Sequence, residues 1–235
     1  MQNFKDKNYL IIGASSGIGL ALARQLAQAG AQVYTYSRTA PEESIAGVHW
    51  TTADVTAADF TLEGLPEALD GFVYCPGSIN LKPFARISDD DFRKELEINV
   101  VGAFKGIKAA APALKKSGQA SIVLFSTVAV QTGMSFHAGI AAAKGAVEGL
   151  TRALAAELAP LVRVNCIAPS LTDTPLATNL LNTEEKRTNA ANRHPLRRIG
   201  TADEMAVAAL FLLGADSGFM TGQVLHIDGG MGNLR

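Results

Sequence analysis

"LIIGASSGIGLALA", Leu10 to Ala23, runs from an apolar stretch through a glycine-rich turn into a helix of small residues. Gly13, Gly17 and Gly19 stand between the strand pattern and the helix pattern. Each has a physical reason to be there, respectively a tight turn, a close approach of backbone to a pyrophosphate, and close packing of helix on sheet, with the helix N-terminus aimed at the negative charge. Glycine triplets alone are a weak signal. The strand-turn-helix context is right, and a second strand pattern, "QVYTYS" (Gln32 to Ser37), follows at the correct distance, so dinucleotide binding is the favoured reading. Ser15, Ser16 and Ile18 complete the expected cradle.

The rest of the chain repeats this alternation. "NYLIIG", "AQVYTYS", "GVHWTT", "GFVYCPG", "SIVLFS", "RVNCIAP" and "QVLHID" read as strands, most of them nearly all apolar. Such runs fit strands buried on both faces, so the fold expected is α/β, a Rossmann-type doubly wound parallel sheet of about seven strands covered by helices on both sides. Ser88 opens a helix with Asp89, Asp90 and Asp91 in its first turn, and a long helix runs from about Phe136 to Ala159, ending at Pro160. With no repeat, low-complexity tract or linker, residues 1–235 read as a single domain. The polar stretch around Thr178 to His194, within residues 176–197, follows a strand end and reads as a substrate-side lid or as an exposed helical excursion.

At the end of the second strand, a carboxylate would hydrogen-bond the ribose 2′-hydroxyl of NAD. Ser37 and Arg38 stand there instead. No acid repels a 2′-phosphate, and a guanidinium pairs with one through two parallel hydrogen bonds, so NADP(H) is expected over NAD(H). The competing reading makes Arg38 a solvated strand-end residue.

At this point the sequence resembles the short-chain dehydrogenase/reductase family, from about Lys7 to Gly230. "ADVT" resembles the acid that contacts adenine, which places Asp54 and Val55 there. "EINVVGAF" resembles the Asn-containing helix and puts Asn99 in the active site. "RVNCIAPSLTDTP" resembles the Pro-Gly-x-x-x-Thr segment beside the nicotinamide, mapping onto Pro169, Ser170, Thr172 and Thr174, with Ser170 in place of glycine. "HPLRRIGTADEMAVAALFLLGADSGFMTGQVLHIDGG" resembles the C-terminal block. "YCPG", Tyr74 to Gly77, replaces Asn-Asn-Ala-Gly and leaves Cys75, Pro76 and Gly77 beside the cofactor.

The family's Ser-Tyr-Lys constellation is where this sequence departs. "FHAGIAAAKGAVEGL", Phe136 to Leu150, carries Lys144, but counting back places Ile140 at the tyrosine position and Thr127, with Ser126 beside it, at the serine position. Either hydroxyl can fill the serine role; Ile140 donates no proton. Hydride transfer to a carbonyl carbon leaves charge on oxygen, and a positioned acid is worth roughly 10²- to 10⁴-fold in rate. His137 is the candidate replacement: residues 137, 140 and 144 share one helix face, and the His-x6-Lys spacing resembles the family's divergent enoyl-reductase branch, which reduces conjugated carbon-carbon double bonds. Near Lys144 it is expected to be neutral and to act as an N–H donor. Lys144 has two separable roles, tuning an acid and holding the nicotinamide ribose.

Two functions follow. One is an NADP(H)-dependent oxidoreductase that reduces a carbonyl or conjugated enone with an altered proton donor, using Lys144, Asn99, Thr127 or Ser126, and His137 or water. The other is a catalytically weak or inactive NADP(H)-binding sensor or scaffold. Lysines and arginines (21) nearly balance aspartates and glutamates (22) without long blocks of either sign, which points to a small-molecule substrate and away from nucleic acid or an anionic membrane surface. Cys75 and Cys166 match no metal-ligand or redox spacing and read as free thiols in a reducing compartment. With no membrane-length apolar run, a cytoplasmic location is expected. The small residues of the Phe136 helix suit close packing against a second copy, and the resemblance implies a homo-oligomer, dimer or tetramer.

Overall fold

The computed structural model describes residues 3–41 and 44–234. All seven strand patterns form one sheet. In chain order its strands are β1 (Asn8–Ile12), β2 (Gln32–Ser37), β3 (Val48–Thr52), β4 (Gly71–Tyr74), β5 (Ala120–Phe125) and β6 (Val162–Pro169). A two-residue clip, β7 (Thr172–Asp173) with β8 (Gly200–Thr201), precedes the last sheet strand, β9 (Val224–Ile227). The spatial order is β3-β2-β1-β4-β5-β6-β9, and every pairing is parallel. The order reverses between β1 and β4, the switch point at which open α/β sheets leave a crevice beyond their carboxyl ends.

Eight α-helices connect these strands among the described residues: α1 (Gly17–Gln28), α2 (Asp89–Leu96), α3 (Gly102–Ser117), α4 (Ala129–Thr132), α5 (Ala138–Leu158), α6 (Thr178–Leu181), α7 (Glu184–Asn192) and α8 (Ala202–Leu213). The period of two along the strands divides the core. Leu10, Ile12, Phe72, Ile122 and Leu124 face α3 and α5, packing with Ile107, Leu114, Val147 and Leu158. Tyr9, Ile11, Val73, Val123 and Phe125 face α1 and α8, packing with Leu22, Leu26, Met205 and Leu212. Burial on both faces is why these strands are apolar throughout. No helix among the described residues is long and apolar enough to cross a membrane.

Local chemistry sets the helix ends. Ser88 Oγ accepts from Asp91 N–H at 3.1 Å while Asp91 Oδ2 accepts from Ser88 N–H at 3.1 Å, the reciprocal capping box at the start of α2. The long helix begins later than the pattern of apolar and small residues suggests. Phe136 adopts φ 70°, in the left-handed region, so helical geometry starts only after His137, the N-cap of α5. Residues 176–197 are largely helical: α6 and α7 pack on a small core of Ala177, Leu181 and Ala190. The β7–β8 clip pairs Thr172 with Gly200 and Asp173 with Thr201, closing the base of this excursion.

Candidate functional site

The turn after β1 is built around its glycines. Gly13 has φ 85° and Gly17 φ 56°, and a Cβ on Gly13 would stand 2.8 Å from Pro76 Cδ, so the turns after β1 and β4 touch at the switch point. A Cβ on Gly19 would stand 2.2 Å from the Gly13 carbonyl oxygen. Ser16 caps α1 without a side-chain hydrogen bond, and the first turn of the helix carries no acid. Its N-terminal N–H groups are therefore available to an anion. Ser37 lies beneath this turn: its Oγ accepts from Ala14 N–H at 2.9 Å and ties the glycine loop to the end of β2.

A cleft of about 1040 Å³ opens along this turn. Of the expected cofactor residues, Gly13, Ser15, Ser16, Gly17, Ile18, Gly19, Ser37, Arg38, Asp54, Val55, Cys75, Pro76, Gly77 and Thr174 line it. Asp54 Oδ1 accepts from Thr56 N–H at 2.9 Å and Thr56 Oγ1–H at 2.7 Å; these bonds hold its carboxyl below the usual carboxylate range, and nearby Arg38 adds to the effect. A glycine cradle that one Cβ would fill, an open helix N-terminus and a guanidinium at the end of β2 fit a phosphorylated dinucleotide.

A second cleft, about 500 Å³, adjoins the first. It holds Ser126, Thr127, His137, Ile140, Lys144, Pro169, Ser170 and Thr172, with Leu176, Asn179, Leu180 and Lys186 of the helical excursion on its outer side. Ile18, Cys75, Gly77, Ser78, Thr174 and Leu176 line both clefts and form the junction.

Lys144 is 8% exposed, and burial pushes its ammonium down to about 8. Burial likewise pushes the thiols of Cys166 and Cys75 up to about 12, so neither is a thiolate at neutral pH. Ile140, one turn before Lys144, is 7% exposed and forms apolar wall. His137 Nδ1 lies 2.7 Å from the Ser135 carbonyl oxygen. That contact selects the Nδ1–H tautomer, which presents a lone pair at Nε2, so Nε2 donates only when the ring is an imidazolium.

The two candidate hydroxyls differ. Ser126 Oγ donates to Glu148 Oε1 at 2.7 Å, beneath α5, whereas Thr127 Oγ1 accepts from Ala129 N–H at 3.3 Å and keeps its own proton for the cleft. Asn99 lines neither cleft. It is fully buried in a π-helical turn, Glu97–Val101, between α2 and α3, with the Tyr74 hydroxyl donating to the neighbouring Ile98 carbonyl at 2.5 Å. A Cβ on Gly77 would stand 3.3 Å from Asn99 Oδ1 and 3.6 Å from Lys144 Nζ, so both side chains converge under the junction.

A sequence model described as enoyl-(acyl carrier protein) reductase matches residues 13–232. The chain belongs to the short-chain dehydrogenase/reductase family. A tropinone reductase homolog of Arabidopsis thaliana is 33% identical over 244 residues, covering 95% of this chain and 91% of the relative. Among solved structures, the aldohexose dehydrogenase of Thermoplasma acidophilum superposes with a TM-score of 0.89 at 28% identity, over 98% of this chain and 95% of that one. The gluconate 5-dehydrogenase of Burkholderia cenocepacia, solved with NADP and tartrate, gives a TM-score of 0.86 at 30% identity, over 98% and 97%.

Four polar residues of this short-chain dehydrogenase/reductase escaped sequence reasoning. Ser78 and Glu95 meet beside Asn99; His194, only 2% exposed, has its Nε2 2.8 Å from Ser170 Oγ; and Glu148 takes the Ser126 proton. Glu95 had one usable signal, its place four residues before Asn99 on the same helical run.

Proposed function

We propose that this chain is an NADP(H)-dependent reductase of a carbonyl or conjugated enone whose proton comes from a group other than the customary tyrosine. The observation that carries this reading is the junction of the two clefts. Cys75, Gly77, Ser78 and Thr174 border both, so a dinucleotide seated along the glycine turn would present its nicotinamide to a substrate held against Thr127 and Lys144. The bound dinucleotide supplies hydride chemistry. The chain's own residues do the remaining work. Arg38 pairs with a 2′-phosphate, the α1 N-terminus takes the pyrophosphate, Lys144 holds ribose hydroxyls, and Thr127 orients the substrate oxygen.

The wall of Leu176, Leu180, Ile140 and Met134 favours a substrate with an apolar body, and α6 and α7 act as its lid. His137 stands on the same wall and, as an imidazolium, is one candidate proton source; water is another. The small residues of α5 support a homodimer or homotetramer, for which light scattering at the mass of one chain is the contrary result.

The deciding experiment is an NADPH-oxidation screen over ketones, quinones and enones, run with a binding titration on the same protein. Oxidation with one of these classes supports the reading. Tight NADPH binding with no oxidation on any class supports the alternative, a sensor or scaffold, which the apolar Ile140 beside Lys144 favours.

A further inference from the structure

Ser78 occupies the junction of the two clefts, and its hydroxyl is engaged on two sides. Asn99 Nδ2 donates to Ser78 Oγ at 3.0 Å, and Ser78 Oγ lies 2.5 Å from Glu95 Oε2. Asn99 Nδ2 also lies 2.9 Å from the Glu95 carbonyl oxygen and 3.2 Å from Oε2, which fixes the amide and with it the direction from which Ser78 is approached. Glu95 is 3% exposed, yet it borders the first cleft. A buried carboxyl is costly unless its hydrogen bonds are made, and this one makes them to a serine that faces the reacting region.

The arrangement has two hydrogen-bonding states. With Glu95 ionised, Ser78 gives its single proton to the carboxylate. With Glu95 protonated, Ser78 accepts from Glu95 O–H and from Asn99 N–H, and its own proton is left to point into the cleft. Loading a proton on Glu95 thus turns Ser78 into a donor aimed at a ligand.

We propose that Ser78 is the catalytic proton donor of this site and that Glu95, acting through it, is the positioning residue that refills it. The proposal rests on the reductase reading. For a ketone, hydride from the reduced nicotinamide dinucleotide forms the new C–H bond while the carbonyl π pair moves to oxygen. The Ser78 O–H bond breaks as its proton passes to that oxygen, and the Glu95 proton passes to Ser78 Oγ. Glu95 is left a carboxylate and regains its proton from the solvent proton pool through the cleft it borders, the one proton the reaction consumes. The sum is one ketone, one hydride and one proton giving one alcohol.

The test uses the full chain, with Ser78→Ala, Ser78→Thr and Glu95→Gln. Thermal melts followed by circular dichroism should show that all three fold, and NADPH affinity, read by fluorescence titration, should change far less than turnover. In the protein without dinucleotide, the infrared carboxyl band isolated as wild type minus Glu95→Gln should move in Ser78→Ala. Turnover should fall about 10²-fold or more in Ser78→Ala and in Glu95→Gln, with a larger solvent deuterium isotope effect in the latter, and Ser78→Thr should restore it. Turnover and isotope effect unchanged in Ser78→Ala and Glu95→Gln, while the wild type oxidises NADPH, would overturn the relay alone. A wild type that oxidises NADPH with no substrate class overturns the reductase reading and the relay with it.

Discussion

Ser126 gives its hydroxyl proton to Glu148 across 2.7 Å, and this bond anchors the end of β5 to α5. The neighbouring Thr127 keeps its proton for the substrate cleft. Ser126→Ala should therefore leave Glu148, also held by Arg152, with a lost partner at a cost of about 1–3 kcal/mol in stability, and leave kcat within a few fold. Thr127→Ala should do the opposite, lowering kcat/KM by about 10-fold or more with little change in Tm. Denaturant melts and steady-state kinetics on the two variants separate the roles; the reverse pattern would assign the substrate hydroxyl to Ser126.

Arg38 lies at the lip of the dinucleotide cleft beyond Ser37, and no acid stands at the end of β2. Charge-assisted bonds to a phosphate are worth about 1.5–3 kcal/mol. Arg38→Ala should weaken NADPH binding by about 10- to 100-fold and NADH binding by less than about twofold. Isothermal titration with both dinucleotides checks this, and an equal loss for both removes Arg38 from 2′-phosphate recognition.

The central strands were legible because burial on both faces writes a nearly uninterrupted apolar run, and the dinucleotide turn because only glycine fits where Gly19 meets Gly13. The start of α5 was not. A left-handed Phe136 has no sequence mark, since that conformation is imposed by the loop before it. The Ser78–Glu95 pair was hidden for a different reason. Seventeen residues separate its members, one following β4 and one on α2, and only the tertiary fold, in which α2 packs on α5, brings them together. Ser126 and Thr127 were equivalent in sequence, and the position of Glu148, four residues after Lys144, is what tells them apart.

Lys144 gives the site a measurable pH signature. Its ammonium titrates at about 8 in the folded chain, below its ordinary value of 10.5, so the unfolded chain binds more protons between those limits. Stability of the protein without dinucleotide should thus carry its full penalty below pH 8 and recover as pH rises toward 10.5. Lys144→Met, of similar volume, should raise Tm at pH 7, by at most about 3 kcal/mol in stability, with the gain fading above pH 10. Calorimetry across pH 7–10.5 reads the effect. The same variant should lose turnover and bind NADPH more weakly if Lys144 holds the ribose as proposed.

Ile140 sits on α5 four residues before Lys144, with its side chain in the wall of the substrate cleft. A tyrosine there would place a phenol on the same helix face as the ammonium, where the nearby positive charge lowers the phenol's pKa and makes it a better acid. The added volume costs packing, about 1–3 kcal/mol for overfilling a site that is 7% exposed, so Ile140→Tyr should melt at a lower temperature than the parent. Its ketone reduction should nonetheless rise about 10-fold or more. In the Ser78→Ala background the phenol should restore turnover, since it supplies the donor that serine no longer provides. Ketone turnover of the single and double variants, measured beside NADPH affinity, decides the matter. If neither gains activity while both still bind NADPH, the cleft limits the reaction by how it seats the ketone, and proton delivery is not the barrier.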